Sequence, residues 1–528
     1  MLSFVCVSYL LLMSACTNKF EEYNTNQNQA TEEMGSHDDL LAGSLFSQLQ
    51  RSVVIFKDGV NLSSDYQVAQ GLTADIYSGY IAPTGTWYSG AHNGAYKFIT
   101  SWIEKTFTNA FTGSMAAWYQ TVQKANLTGR PEISALATIV KVEAMHRVAD
   151  AYGPIPYVNF GLTTNTYDSL SVVYTKFFQE LDSSINVLTA FVTSYPSSTL
   201  MSKYDYVYSG NVTKWVKFAN TLRLRLAMRV VYANPALAKI EAEKSIANPI
   251  GVITSAADRA MLQHSSMLTY FHPLYEIAYS FNAGEARMGA TMECYMKGYT
   301  DPRLPVYFKP ATADGAYHGV RLGMQTSTWT PYSGTAISNL NMDNSTSSIV
   351  WMTAAESYFL RAEGALRGWA MGGTAQSFYE SGITMSCNEN GITGSSVTNY
   401  IASTATPIPF TDTNAGLNNT TVAPSTIPVK WDASAITEVN LEQIITQKWI
   451  ALYPDGPEGW AEFRRTGYPK LLPVVSNQSG GTVDTNIQVR RIPFPNSEYN
   501  TNNANVLIGV QKLGGLDRGS TKLWWDKK

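Results

Sequence analysis

Glu356 and Glu363 stand two helical turns apart. Paired carboxylates held about 5 to 10 Å apart are the equipment of glycoside hydrolysis, one acting as acid and the other as nucleophile or base. Arg367 follows Glu363 by four residues, the spacing of an ordinary helix salt bridge, so the pair reads as structural. Glu143, His146 and Asp150 fall at i, i+3 and i+7 on one helix face, where they could hold a metal or move protons. The opposite stripe is cleanly apolar, and the expectation is therefore a solvated polar face without a metal. Asp412, Asn414 and Gly416 resemble the start of a calcium loop, but Ala423 stands where a bidentate Glu is needed. No two glycines are separated by a single residue and no Gly-Lys pair occurs, which removes the usual nucleotide-binding loops. G-x-S-x-G and H-E-x-x-H are also missing, and the chain has only six His. The expectation is no catalytic residue, no cofactor and no metal.

Binding chemistry is better represented. Trp87, Tyr88, Asn93 and Tyr96 lie in one Gly- and Thr-rich stretch, and Trp329 and Tyr332 lie in another. Aromatic faces mixed with amide and hydroxyl groups grip a neutral sugar by stacking and hydrogen bonds, and these six are the candidate ligand-binding residues. The alternative is that the rings fill gaps beneath long loops, because large aromatics are mostly buried.

Helices must position these loops. Ile133, Leu136, Ala137, Val140, Ala144 and Val148 recur at helical spacing, as do Tyr174, Phe177, Phe178, Leu181, Ile185 and Leu188. Trp215 to Leu226 repeats the pattern, with Asn234-Pro235 read as a stop. Met352 to Leu366 and Leu441 to Leu452 add two more stripes, the latter begun by Asn440 with Gln443 in capping-box position. Arg223, Arg225 and Arg229 are spread around their helix and are expected as surface and interface charge. Strand alternation is scarce. One-sided helices must pack on one another, so the fold class is all-α dominated, a bundle or stack of helix pairs with few short strands. Long irregular stretches at 58–112, 300–346, 391–435 and 473–510 carry the loops, which favours recognition.

Composition agrees with a globular binding protein. Of 528 residues, 45% are apolar and only 15% charged, while 12 Trp and 31 Tyr supply more aromatic surface than packing obviously requires. A formal charge of -3 lacks the basic excess that a nucleic-acid partner demands.

Leu2 to Met13 is an apolar run too short for the roughly 20 residues of a membrane crossing, and it ends in Met13-Ser14-Ala15-Cys16. That reads as a signal peptide over residues 1–15 and a lipobox, with Cys16 carrying the lipid anchor and 16–34 forming a polar tether. Residues 35–528 would then form a single helical domain with loop insertions. Cys294 and Cys387 could pair in an oxidising compartment or remain buried thiols.

Several segments together resemble the SusD/RagB family of outer-membrane lipoproteins, in particular its SusD-like, starch-binding-associated branch. They are the lipidated-looking start SACTNKFEEYNTNQNQA, Asp150 to Tyr157 (DAYGPIPY) and Asp301-Pro302-Arg303-Leu304. Ser348 to Trp369, Lys448 to Pro469 and the closing Leu523-Trp524-Trp525-Asp526 complete a match that runs nearly end to end. In Gly456-Pro457-Glu458-Gly459-Trp460, glycine and proline fix a tight path that Trp460 plugs, with Arg464 and Arg465 available for carboxylates or carbonyls. The resemblance implies a tetratricopeptide-like scaffold, lipid-anchored in the outer membrane and facing the cell exterior. It would capture oligosaccharide or polysaccharide and act as a lid on a SusC-like TonB-dependent transporter. A lid that takes peptides is the alternative, and a surface glycoside hydrolase using Glu356 and Glu363 is a third.

Overall fold

Pro131 opens the longest readable stripe and shows how the sequence starts a helix here: proline tolerates the first turn, where its missing N–H would be unpaired anyway. The computed structural model describes residues 40–528 apart from 58, 60–63, 86, 163–164, 281–285, 325–331, 333–334 and 414–418. The stretches read as signal peptide and tether, with Cys16, lie outside the described residues, as does Trp329.

The principal helices are α1 (Leu40–Arg51), α2 (Ala116–Leu127), α3 (Pro131–Tyr152), α4 (Leu170–Ser194), α5 (Val212–Arg229) and α6 (Pro235–Ala247). They continue as α7 (Ala354–Leu366), α8 (Ala375–Glu389), α9 (Thr437–Leu452) and α10 (Gly456–Thr466). They pack in two series of chain neighbours: α1 on α2, α2 on α3, α3 on α4, α4 on α5 and α5 on α6, then α7 on α8 and α9, and α9 on α10. Contacts of α5 with α7 and of α3 with α10 join the two series. This is the all-α, helix-pair scaffold expected from the stripes. One cluster of buried apolar side chains extends from Ala42 to Trp525. Among the described residues no helix is long and apolar enough to cross a membrane.

Strands are few and short. β1 (Ile81–Pro83) pairs antiparallel with β3 (Ala286–Met288), setting Pro83 opposite Ala286, and β2 (Ala260–Leu262) pairs antiparallel with β4 (Ile349–Met352). Met352, read as helical, therefore ends a strand, and α7 begins only after the Thr353 cap.

Two helix boundaries differ from the sequence reading for reasons of side-chain chemistry. Asn234 is the cap of α6, its side chain accepting from the Leu237 N–H at 3.2 Å, so Asn234-Pro235 starts a helix as well as ending one. α9 begins at Thr437, one turn before Asn440, whose amide donates instead to the Asp432 carbonyl and to Gln443 Oε1. A capping box does occur, but at α8, between Thr374 and Ser377.

Candidate functional site

The chain leaves β1 at Pro83 and turns through Trp87–Gly90, with left-handed backbone at two successive non-glycine residues, Tyr88 (φ 52°) and Ser89 (φ 55°). Each such residue costs about 1 kcal/mol or more, and strain of this kind tends to accumulate at functional sites. Gly85 is required by close approach: a Cβ there would stand 2.8 Å from the Trp87 ring. Trp87 meets Trp102 edge to face at 5.9 Å, Tyr88 meets Trp102 at 5.7 Å, and His92 lies 5.8 Å from Trp87 and 5.9 Å from Trp102. Tyr88 is 58% exposed and Trp87 and Trp102 are half-buried, so the cluster opens to solvent above a buried His92. The His92 Nδ1 accepts from the Gly94 N–H, and burial pushes its pKa down to about 4. With the His92 imidazole neutral at about pH 7, the cluster suits stacking against a neutral ligand.

The other predicted site residues lie deeper. Asn93 is fully buried; its amide donates to the Leu72 carbonyl and its oxygen accepts from the Ile99 N–H, both at 2.9 Å. Tyr96 is buried with its hydroxyl 3.4 Å from Gln488 Oε1. These two residues hold the loop from beneath, while Trp87 and Tyr88 present its faces. Tyr332 is also buried and donates to Asp412 Oδ1 at 2.8 Å, while Asn419 donates to Asp412 Oδ2 at the same distance. Asn414 and Gly416 of the calcium-loop reading lie outside the described residues, and both oxygens of Asp412 accept from protein donors. Trp102 is the site residue that sequence reasoning missed. A second aromatic group was missed as well: Phe271, Tyr275 and Tyr279, centroids 5.5 and 5.6 Å apart at four-residue spacing and all half-buried. The β1/β3 register sets Pro83, just before the Trp87 turn, opposite Ala286.

The charged residues form a different assembly. Glu143, His146 and Asp150, expected on a solvated face, are buried, and so are Arg223, Arg225 and Arg229, expected at the surface. The physical reason is that α3 and α5 are central: their polar faces meet each other and α7, α9 and α10, and charges cancel across the contacts, while Arg223 turns to Asp182 of α4 at 3.0 Å and Glu241 of α6 at 3.7 Å. Arg225 is bidentate to Glu356 (2.7 and 2.6 Å) and approaches Glu143 at 3.4 Å; Arg147 bridges Glu143 and Asp455. Arg229 pairs with Asp150 at 3.0 Å and with Glu458, and Arg465 is bidentate to Glu363, both bonds 2.7 Å. Lys448 lies 3.2 Å from Glu462 and 3.4 Å from Glu458. Burial pushes Glu143 up and His146 well down. Burial also pushes on Glu363, but Arg465 and Arg367 outweigh it and hold that carboxyl well below the usual range. A general acid needs access to substrate and a raised pKa. Glu363 has neither, and Glu356 is 1% exposed and clamped by Arg225.

The family-like motifs belong to the same interior. Gly456 lies against Asp75, where a Cβ would sit 2.1 Å from a carboxylate oxygen, and Trp460 donates to the Val489 carbonyl at 2.9 Å. Arg464 binds the Asp150 and Arg490 carbonyls, and Arg490 pairs with Asp526 of the closing motif. Arg303 of the Asp301-Pro302-Arg303 turn is fully buried among Asp301, Ser386, Tyr400 and Gln447. Cys294 and Cys387 are buried free thiols, and burial pushes Cys294 up to about 12. Among the described residues no group of three or more His, Cys, Asp or Glu is placed to hold a metal ion.

This architecture has close counterparts. A chitin-binding SusD homologue from Flavobacterium johnsoniae is 40% identical with a TM-score of 0.86, over 92% of this chain and 99% of that one. SusD homologues from Bacteroides uniformis (38% identity, TM-score 0.84) and Bacteroides thetaiotaomicron (36%, 0.81) cover the same shares. No curated protein matches the chain. The family described as SusD-like, SusD and RagB outer membrane lipoprotein, matches residues 22–526, and the chain belongs to that family.

Proposed function

We propose that this is a non-catalytic, cell-surface glycan-binding lipoprotein, anchored in the outer membrane through Cys16. It captures oligosaccharides and passes them to a SusC-like TonB-dependent transporter. The observation that carries the reading is the solvent-facing ring cluster of Trp87, Tyr88 and Trp102, uncharged and built on a strained turn. Trp329, from the second aromatic stretch, is proposed to contribute a further ring. The clamped state of Glu356 and Glu363 supports binding without hydrolysis. The chitin-binding relative makes oligosaccharides of N-acetylglucosamine the first ligands to test.

Titration calorimetry with chitohexaose, starch oligosaccharides and unmodified peptides tests the ligand class. Saturable binding of a glycan and none of the peptides is expected; binding of peptides alone would replace the glycan reading with a peptide-binding lid. Co-purification with a TonB-dependent barrel tests delivery, and a free monomer in the presence of that barrel would refute it. Labelled fatty acid should enter the wild type and be lost in Cys16→Ser.

A further inference from the structure

We propose that a second cleft, remote in sequence from the Trp87 turn, is a separate carbohydrate site that holds one or two sugar rings by hydrogen bonds. It has a volume of about 280 Å³ and forms where the C-terminal ends of α8 and α9 meet β4 and the start of α7. That volume lies at the lower edge of the roughly 300–1,000 Å³ range of small-molecule pockets, which suits a ring or two and excludes an extended chain.

Its polar groups are of both senses and are already oriented. Tyr453, next after α9, has its ring held by Tyr307 at 4.7 Å and Phe308 at 5.2 Å, and among the described residues its hydroxyl meets no hydrogen-bond partner. His272 accepts the Leu274 N–H on Nδ1 at 3.2 Å, which leaves the ring proton on Nε2 as a donor. Asn390 donates its amide to the Ser386 carbonyl at 2.8 Å and Asn341 donates to the Pro305 carbonyl at 2.9 Å, leaving the Oδ1 of each to accept. Arg259 uses Nε on the Ala256 carbonyl and lies 4.0 Å from Glu389, whose carboxyl burial pushes up to about 7, so the wall adds a guanidinium beside a carboxyl that can donate as well as accept. The carboxylates of Glu356 and Asp455 in the same wall are matched by Arg225 and Arg147. Val306, Val350 and Leu452 supply apolar surface. A neutral molecule with several hydroxyl or amide groups and one apolar face satisfies this set; a polyanion or an apolar chain does not.

Only the choice of an N-acetylated sugar rests on the function proposed above. The test titrates N-acetylglucosamine and N,N'-diacetylchitobiose, followed by saturation-transfer NMR, into protein carrying Trp87→Ala and Tyr88→Ala. Saturable binding is expected to persist there, to weaken about threefold to tenfold in Tyr453→Phe, which removes one hydroxyl without changing shape, and to vanish in Val350→Trp, which fills the cleft. Absence of saturable binding by either sugar, or binding that both cleft variants leave unchanged, overturns the proposal. The two readings fail separately. Chitohexaose binding that depends on Trp87 while neither small sugar binds removes the second site alone. Small-sugar binding that depends on Tyr453, with no chitohexaose bound at Trp87, supports the cleft and removes the Trp87 platform.

Discussion

The ion-pair interior between α3, α5, α7, α9 and α10 and the aromatic turn after β1 are built from opposite materials. The interior holds the motifs by which the chain resembles its family, and its arginines and carboxylates are almost wholly buried. The turn holds rings that meet solvent and carries no such motif. Buried ion pairs contribute little net stability compared with well-packed apolar groups, yet removing one partner is severe because the other is left charged and dry. The family resemblance is thus carried by a buried scaffold, while the proposed ligand surface is a separate, solvent-facing part of the chain.

Breaking the interior should have the largest effect. Arg225→Met leaves Glu356 without its partner and Glu143 with Arg147 alone, and is expected to cost about 3–5 kcal/mol of folding stability, read as a lowered denaturant midpoint, with chitohexaose affinity at the Trp87 turn unchanged per folded molecule. On the surface the effects should exchange. Trp87→Ala is expected to cost binding about 2 kcal/mol, near thirtyfold, with the melting temperature almost unchanged. A collapse in melting temperature with affinity intact would assign the ring to the core and erase the contrast.

Glu363→Gln sharpens the comparison from the chemical side. It weakens one arm of the Arg465 pair and should lower stability by about 1–3 kcal/mol. Neither wild type nor variant should release reducing sugar from chitohexaose, and cleavage lost in the variant would turn this glutamate into a catalyst.

A pH dependence inside the interior gives a further test of the contrast. Burial pushes Asp75 up to about 7, with hydrogen bonds from Tyr66 and Gln70 pulling the other way. Its folded pKa lies above the ordinary 3.8, so its contribution to stability is fully present below about 3.8, is lost progressively as pH rises toward about 7, and is gone above that. Asp75→Asn removes that dependence, and its melting temperature should gain on the wild type between about pH 5 and about pH 8. His92 and His272, both pushed down to about 4, act in the opposite sense: their contribution is present above about 6.5 and is lost as pH falls toward 4. They are common to both proteins and cancel in the difference.

Much of the scaffold was legible because apolar spacing is set by the helix itself. The stripes from Ile133, Tyr174, Trp215 and Leu441 all lie in helices. What the spacing could not reveal was what covers the other face. Glu143 and Arg225 look like surface charges until α3 and α5 are seen surrounded, and each then neutralises the other. The candidate site was legible in part. Trp87 and Tyr88 were marked by their glycine-rich surroundings, but Asn93 and Tyr96 carry the same local signal and are buried, because burial depends on elements such as Leu72 and Gln488 that are distant in sequence. Trp102, Tyr275 and Tyr279 sit in short helical turns, with Phe271 just before the last two, and there an aromatic at helical spacing is indistinguishable from a core stripe.

The most direct test of the central claim is a crystal structure of the protein with chitohexaose. The account predicts a sugar ring in van der Waals contact with the face of Trp87, Tyr88 or Trp102, and no sugar against Glu363. A chitohexaose whose rings avoid that turn altogether would contradict it.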